Sequence, residues 1–419
     1  IRNQTKTSSL IIVPFSQIQS KNTSNDILDT IWTQIQSKLS SIHLANDSSQ
    51  QLVQSLQRND GAVGSALSLA ETWSLARSWI TARQVIPQTV PQLQRVLTAL
   101  QTAAIVGADV SRTGTQLKLL LELEGGERAL FKPQRYSRDH VIPGMDANKP
   151  TLAQQFSCLG VYSGFDRHNG EIIAFHLARL LDFRVVPIVV ARRLDVAQLK
   201  AIASAALSAT FSPNGTCFYG ECHYCSPFAT VCADSDGRVE GSLHLLLPSK
   251  YKLQRVRNPW QRTYRAGVRA TWETQSDYCF AVAQRLPLRP RLLDIVDASV
   301  FDFLISNADR HHFEAFKDVP NSALLLIDNG KSFGDPDARE LSILAPLYQC
   351  CVMRNASFAR LRQLHALPVS SALHALLASE PSWPLLTPRH LAAIDTRVHI
   401  LLALLEVCFE TKGKQNVLK

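Results

Sequence analysis

The hydrophobic pattern changes period at Ile105, and that change limits the chain to a fold mixing helices with an antiparallel sheet. Before it, residues 1–100 are rich in Gln, Ser and Leu, with Ile27, Ile31, Ile35 and Leu39 at helical spacing. After it, strands are expected at 105–110, 116–123 and 128–131, separated by a Ser-Arg-Thr-Gly-Thr loop at 111–115 and a Gly125-Gly126 hairpin. The third strand runs into Lys132. A helical extension followed by an α+β body is the expectation.

A long polar connection over 133–165 leads to an amphipathic helix from Arg167 to Leu177, whose Ile172, Phe175 and Leu180 suit packing on a sheet. A strand at 185–191, an Ala-rich stretch and a cysteine cluster follow. Residues 240–248 then supply an apolar edge suited to a hinge between two lobes. The remainder, 290–315 and 337–412, reads as helical, and Leu292, Ile295, Val296, Val300, Phe301 and Leu304 mark a helix that presents Asp309.

Two polar stretches carry the chemistry. Asn307-Ala308-Asp309-Arg310-His311-His312-Phe313-Glu314 places Glu314 five residues after Asp309, and Leu326-Ile327-Asp328-Asn329-Gly330 places Asp328 one short strand later. Phosphoryl transfer needs a carboxylate to orient and deprotonate an acceptor hydroxyl, and another to hold the cation that neutralises nucleotide phosphates. Asp309 suits the first task and Asp328 the second. Either stretch alone reads more readily as a polar turn; the pair at this separation brings the chemical reading level with it. Glu171 is the acid placed to meet Lys132, although an acid in the first turn of a helix commonly only complements its dipole.

With 419 residues, 46% of them hydrophobic, the chain can bury a large core, most simply as two lobes. The expected division is a helical extension over 1–100, a small lobe with a cysteine-rich insertion over 101–240, and a large lobe over 241–419. A formal charge of +9 suits an anionic ligand and is too diffuse to indicate nucleic acid. The basic run of Lys250, Lys252, Arg255, Arg257, Arg262, Arg265 and Arg269, interleaved with Trp260 and Tyr264, reads as a solvated face before an anion-binding surface.

Sequons at Asn3, Asn22, Asn46, Asn214 and Asn355 and nine cysteines together point to an oxidising, lumenal or secreted setting. Cys217, Cys222, Cys225 and Cys232 could hold zinc or form disulfides. Disulfides are favoured, because the adjacent Cys350 and Cys351 pair poorly with each other and leave Cys279 and Cys408 as their candidates, with Cys158 left over. No apolar run is long enough for a transmembrane helix. The chain starts at Ile1 without Met, compatible with an upstream signal or the anchor of a type II membrane precursor.

In order along residues 105–412, Phe131-Lys132-Pro133, Asp166-Arg167-His168-Asn169, Cys217-Phe218-Tyr219-Gly220, Glu240-Gly241-Ser242, Asn258-Pro259-Trp260, Asp309-Arg310-His311-His312, Asp328-Asn329-Gly330 and Cys350-Cys351 resemble the secretory-pathway kinases of the Golgi casein kinase group. Tyr136-Ser137-Arg138-Asp139-His140, Cys222-His223-Tyr224-Cys225 and Arg262-Thr263-Tyr264-Arg265 look most like its glycosaminoglycan xylosylkinase branch.

The resemblance implies an atypical bilobal protein-kinase-like fold, ATP and Mn²⁺, residence in the Golgi lumen, and phosphate transfer to the 2-hydroxyl of xylose in the galactose-xylose linkage region of proteoglycans. It also implies that Gln116 and Lys132 contact nucleotide phosphates, Glu171 and Asp328 hold the metal, His244, Leu245, Leu246 and Leu247 line the adenine pocket, Glu314 contacts nucleotide or metal, and Asp309 is the base. The implied disulfides are Cys217–Cys232, Cys222–Cys225, Cys279–Cys350 and Cys351–Cys408. The chain departs from the pattern in a longer 141–160 segment carrying Cys158 and in Gly170, where the family usually has Ala. Two alternatives compete: a Ser kinase acting on acidic secreted proteins, and a pseudokinase that activates a relative. The second is disfavoured because Lys132, Glu171, Asp309 and Asp328 are all present.

Overall fold

The computed structural model describes residues 26–43, 49–60, 67–88, 90, 92–141, 164–263, 268–275, 277–285, 289–378 and 380–419. Cys158, Asn3, Asn22, Asn46, Tyr264 and Arg265 lie outside them. Asn214 and Asn355 are exposed.

Among the described residues four helices precede the sheet: α1 (Asp26–Leu39), α2 (Ser49–Asp60), α3 (Leu69–Ser78) and α4 (Leu93–Thr102). Ile35 is fully buried, as the helical spacing requires. Ser68 caps α3 reciprocally with Glu71, satisfying backbone donors that a helix start otherwise leaves open.

Strands β1 (Ile105–Val110), β2 (Leu119–Leu123) and β3 (Glu127–Pro133) form the antiparallel run, with the β2–β3 turn at Gly125-Gly126. Leu119, Leu121 and Leu123 alternate into the core. The second strand starts three residues later than expected, because Lys118 Nζ folds back onto the carbonyls of Thr113 and Gln116. Helix α5 (His168–Leu180) follows, buried along almost its whole length.

Next come β4 (Val189–Asp195), the short helices α6 (Val196–Ala201) and α7 (Ala205–Ser208), the two-residue strands β5 (Cys217–Phe218) and β6 (Val231–Cys232), and β7 (Arg238–Leu245). The five-stranded sheet has the order β1-β2-β3-β7-β4. Two expectations are corrected here. The strand expected at 185–191 begins at Val189, because the Val185 carbonyl instead accepts from Leu326 N at 3.1 Å. The stretch expected as an apolar edge enters the sheet interior between β3 and β4, so a lobe boundary drawn after residue 240 cuts through β7.

Strand β8 (Leu253–Arg257) precedes the helices α8 (Tyr278–Ala283) and α9 (Leu292–Ile305), and β9 (His312–Phe316) pairs with β8. Residues 312–316 are therefore extended rather than helical. Ser306 ends α9 in the left-handed conformation. The chain closes with α10 (Ala345–Cys350), α11 (Asn355–Ala366), α12 (Val369–Leu377), α13 (Pro388–Lys412) and α14 (Lys414–Val417). Helix α1 packs along α13, joined at its end by Lys38 and Glu410 at 2.5 Å.

Among the described residues four disulfides are formed, Cys217–Cys232, Cys222–Cys225, Cys279–Cys350 and Cys351–Cys408. The first crosses β5 and β6 in register, and the last two tie α8 to α10 and Cys351, just past α10, to α13. All four cysteines of the first cluster are thus oxidised, which leaves no thiolate for zinc. In the basic run, Trp260 is buried, while Arg262 pairs with Glu340 and Arg255 with Glu314.

Candidate active site

Strand β3 delivers Lys132 to the centre of the site, where its ammonium lies 2.5 Å from Glu171 Oε1, 2.6 Å from Asp328 Oδ1 and 3.4 Å from Asp166 Oδ2. The side chain is 5% exposed. Burial works against its charge, but Asp328, Glu171 and Asp166 outweigh it and hold the ammonium well above the usual lysine range. Lys132 in turn holds the Asp328 carboxyl far below its ordinary range. Burial pushes the Asp166 carboxyl up, beyond what Lys132 offsets.

The loop after β9 is shaped to bring these groups together. Asp328 takes a left-handed backbone (φ 62°), which Asp tolerates better than most residues. The next amide, Asn329 N, donates to Glu171 Oε2 at 3.0 Å. Gly330 is needed for close approach, since a Cβ there would stand 2.6 Å from Asp166 Cβ; its carbonyl accepts from Arg167 N at 2.8 Å. Gly170 does the same from α5, where a Cβ would collide with Ser332 Oγ. The departure at Gly170 therefore leaves room for Ser332.

Asp166, Glu171 and Asp328 each offer a carboxylate oxygen, and all three lie within 4.8 Å of one another. Hard oxygen donors in this arrangement fit a divalent cation such as Mn²⁺. Asp166, five residues before Glu171, was missed as a ligand by sequence reasoning, although it heads the Asp166-Arg167-His168-Asn169 motif.

Asp309 stands in the turn after α9, its amide fixed by Asn307 Oδ1 at 3.0 Å. The neighbouring Arg310 is buried and bound to both Asp302 oxygens at 2.8 and 3.0 Å, to Asn329 Oδ1 at 2.7 Å and to the Ile327 carbonyl. One guanidinium thus ties the Asp309 turn to the Asp328 loop. Asn258 holds the same turn from outside, donating to the Arg310 carbonyl at 2.7 Å and accepting through its own carboxamide from Trp260 N. His311 Nδ1 lies 3.8 Å from Asp309 Oδ1, and the Asp309 carboxylate, against the pull of burial, raises the imidazole above its ordinary 6.5.

The remaining expected residues divide. His244, Leu245, Leu246 and Leu247 are half-buried at the end of β7, with His244 Nε2 3.0 Å from Ser242 Oγ. Gln116 is half-buried in the loop before β2, beside Lys118. Lys118 was also missed: its ammonium donates to the carbonyls of Thr113 and Gln116, and burial and the charge of Lys132 lower its pKa while Asp328 and Asp166 favour its charge. Glu314 is not part of the three-carboxylate group. It faces Arg255 on β8 at 3.5 Å and His312 on its own strand at 3.4 Å.

Residues 71–417 match the family model described as Golgi casein kinase, C-terminal, Fam20. The chain belongs to the Fam20 family. A Danio rerio relative named glycosaminoglycan xylosylkinase is 46% identical over 357 residues, covering 84% of this chain and 83% of its own. Among solved structures, hydra Fam20 with sugar superposes with a TM-score of 0.76 at 38% identity, over 83% of this chain and 98% of that one. The Golgi casein kinase with Mn/ADP bound gives 0.74 at 29% identity, over 99% and 96%. The atypical bilobal kinase fold read from the motifs is that of these Fam20 structures.

Proposed function

We propose that this Fam20 chain is an ATP-dependent sugar kinase that phosphorylates the xylose 2-hydroxyl in the galactose-xylose linkage region of proteoglycans, in the Golgi lumen. The observation that carries the kinase reading is the convergence of Glu171, Asp328 and Asp166 on Lys132, with Asp309 fixed beside them through Arg310. The likeness to the xylosylkinase supports the choice of acceptor, and the manganese-nucleotide complex of the Golgi casein kinase supports ATP with Mn²⁺. Among the described residues no helix is long and apolar enough to cross a membrane.

In this reading Asp166, Glu171 and Asp328 hold Mn²⁺, whose charge neutralises the nucleotide phosphates. Lys132 and Lys118 face the phosphates, with Gln116 alongside. His244–Leu247 present partly exposed apolar surface and backbone to the adenine. Asp309 orients the acceptor hydroxyl and receives its proton as the oxygen attacks the γ-phosphorus. Most of the catalysis is positioning and charge neutralisation, which a site built from fixed ion pairs provides without reorganising. Glu314 supports the site from the adjoining β8–β9 pair through Arg255.

The direct test of the kinase reading is transfer from ATP to a xyloside-containing disaccharide, a casein-like peptide and no acceptor, with and without Mn²⁺. Metal-dependent transfer to an added acceptor is expected. Nucleotide binding with no transfer to either acceptor would make the chain a pseudokinase.

A further inference from the structure

The turn that follows β5 meets the loop between β1 and β2 residue by residue. That loop carries Gln116 and Lys118, which face the nucleotide phosphates in the reading above. Lys118 Nζ donates to the Thr113 and Gln116 carbonyls at 2.9 and 3.1 Å. The two carbonyls between them belong to the turn: His223 N donates to the Gly114 carbonyl at 3.3 Å, and Cys222 Sγ stands 3.3 Å from the Thr115 oxygen. At the edges, Arg112 Nε donates to Glu221 Oε2 at 2.6 Å, and a Cβ at Gly220 would collide with Leu117 Cδ1. Residues 220–223 thus grip the loop from 112 to 117. The turn is closed by Cys222–Cys225, a bond between residues 3 apart, against separations of 15, 71 and 57 for the other disulfides of the described residues. Chain entropy makes so short a closure the weakest contributor to overall stability, so its effect falls on the turn itself. His223 and Tyr224 are exposed, with Cys222 and Cys225 half-buried beside them, which leaves the sulfurs within reach of a small thiol.

We propose that residues 220–225 form a strap that positions the β1–β2 loop over the nucleotide, and that the Cys222–Cys225 disulfide makes this strap a redox-sensitive switch. The reductant is a small dithiol. One of its thiolates attacks a sulfur of the pair, and the S–S bond breaks with its electron pair passing to the other sulfur, which takes a proton. The second thiol of the reductant then resolves the mixed disulfide, leaving two thiols on the strap and a disulfide on the reductant. With the closure gone, His223 N and Cys222 are no longer held against the Gly114 and Thr115 carbonyls, and the loop loses the partners of two of its four central carbonyls. Gln116 and Lys118 must then be ordered afresh each time nucleotide binds. A contact made alike to bound ATP and to the transition state affects KM rather than kcat, so the switch acts on nucleotide affinity. The proposal rests on the reading that this loop covers the phosphates, but not on which acceptor is used.

The experiment compares the oxidised parent, the parent titrated with dithiothreitol, and a variant carrying Cys222→Ser with Cys225→Ser. Mass spectrometry of alkylated digests reads which cysteines are reduced. In the variant the KM for ATP should rise by about tenfold, the loss from ordering a freed loop on binding. Its kcat should stay within about threefold of the parent. Deuterium exchange of the amides at 111–118 should quicken while that of β3 and α5 stays unchanged. In the titrated parent, KM should climb with the alkylated fraction of Cys222 and Cys225 and return on reoxidation, and this arm stands alone if the variant fails to fold. The same dithiothreitol should leave the KM of the variant where it is. Parent-like KM and exchange in the variant overturn the strap, as does a lower kcat at unchanged KM. A KM that moves in the variant but not in the reduced parent overturns the switch. A parent that binds no nucleotide and moves no phosphate would instead defeat the phosphotransfer reading, while exchange at 111–118 would still report the strap.

Discussion

The Glu171 carboxylate joins strand β3 to the Asp328 loop, accepting from Lys132 Nζ at 2.5 Å with one oxygen and from Asn329 N at 3.0 Å with the other. Glu171→Gln keeps the shape but removes the charge opposite a buried ammonium. Loss of such a charge-assisted bond costs about 1.5–3 kcal/mol, and denaturant unfolding should read a destabilisation of that size. A concurrent drop in Mn²⁺ affinity, measured by calorimetry, is expected because the same carboxylate would be a ligand.

Asp166 makes a sharper test of the metal set. Asp166→Asn should weaken Mn²⁺ binding by at least tenfold, whereas Glu314→Gln should leave it within about threefold, since Glu314 is outside the three-carboxylate group. Manganese titration followed by electron paramagnetic resonance distinguishes the two, and equal effects would mean that the ligand set extends to Glu314.

Gly170→Ala should cost about 1–3 kcal/mol by overpacking, because the added methyl would meet Ser332 Oγ. Adding Ser332→Gly should restore most of that loss, a coupling readable in a double-mutant cycle of unfolding free energies.

How far these groups were legible in the sequence depends on how local their signal is. Lys132, Glu171, Asp309 and Asp328 sit in short motifs whose order and spacing mirror their chemistry, and the strand alternation over Ile105–Val110 matched the sheet. Asp166 heads one of the motifs, but its place in the cluster depends on the distant Gly330 approach, and Lys118 sits in a loop that closes locally onto Thr113 and carries no motif. Strand β9 escaped notice because Phe313 and Ala315 are apolar neighbours of a helix, and nothing local announces that Arg255 will pair with Glu314 across from them. The interior place of β7 was hidden for the same reason: pairing partners are not written in the strand itself.

The acid side of the pH profile should carry the signature of His311. Its folded pKa is raised above 6.5 by Asp309, so the stability this pair contributes is fully present below 6.5 and fades as pH rises through the folded value. Activity runs the other way, because an imidazolium beside Asp309 engages the carboxylate oxygen that the acceptor hydroxyl needs. The rate should therefore rise with pH through that same folded value, and His311→Gln should remove the inflection from kcat against pH.

Asp309→Ala should lower kcat by at least ~10²-fold while nucleotide affinity changes little, because the base acts on the acceptor. Retention of more than about a tenth of the parent rate would remove Asp309 from the role.

The most direct measurement of the central claim is parallel steady-state kinetics on a galactosyl-β-xyloside and a Ser-x-Glu peptide, with the site of phosphate assigned by NMR. A groove that hydrogen-bonds several sugar hydroxyls rejects acceptors that leave those groups unpaired. The expected result is phosphate on the xylose 2-hydroxyl, with kcat/KM on the disaccharide far above that on the peptide. Efficient phosphorylation of the peptide with no sugar phosphate would contradict it.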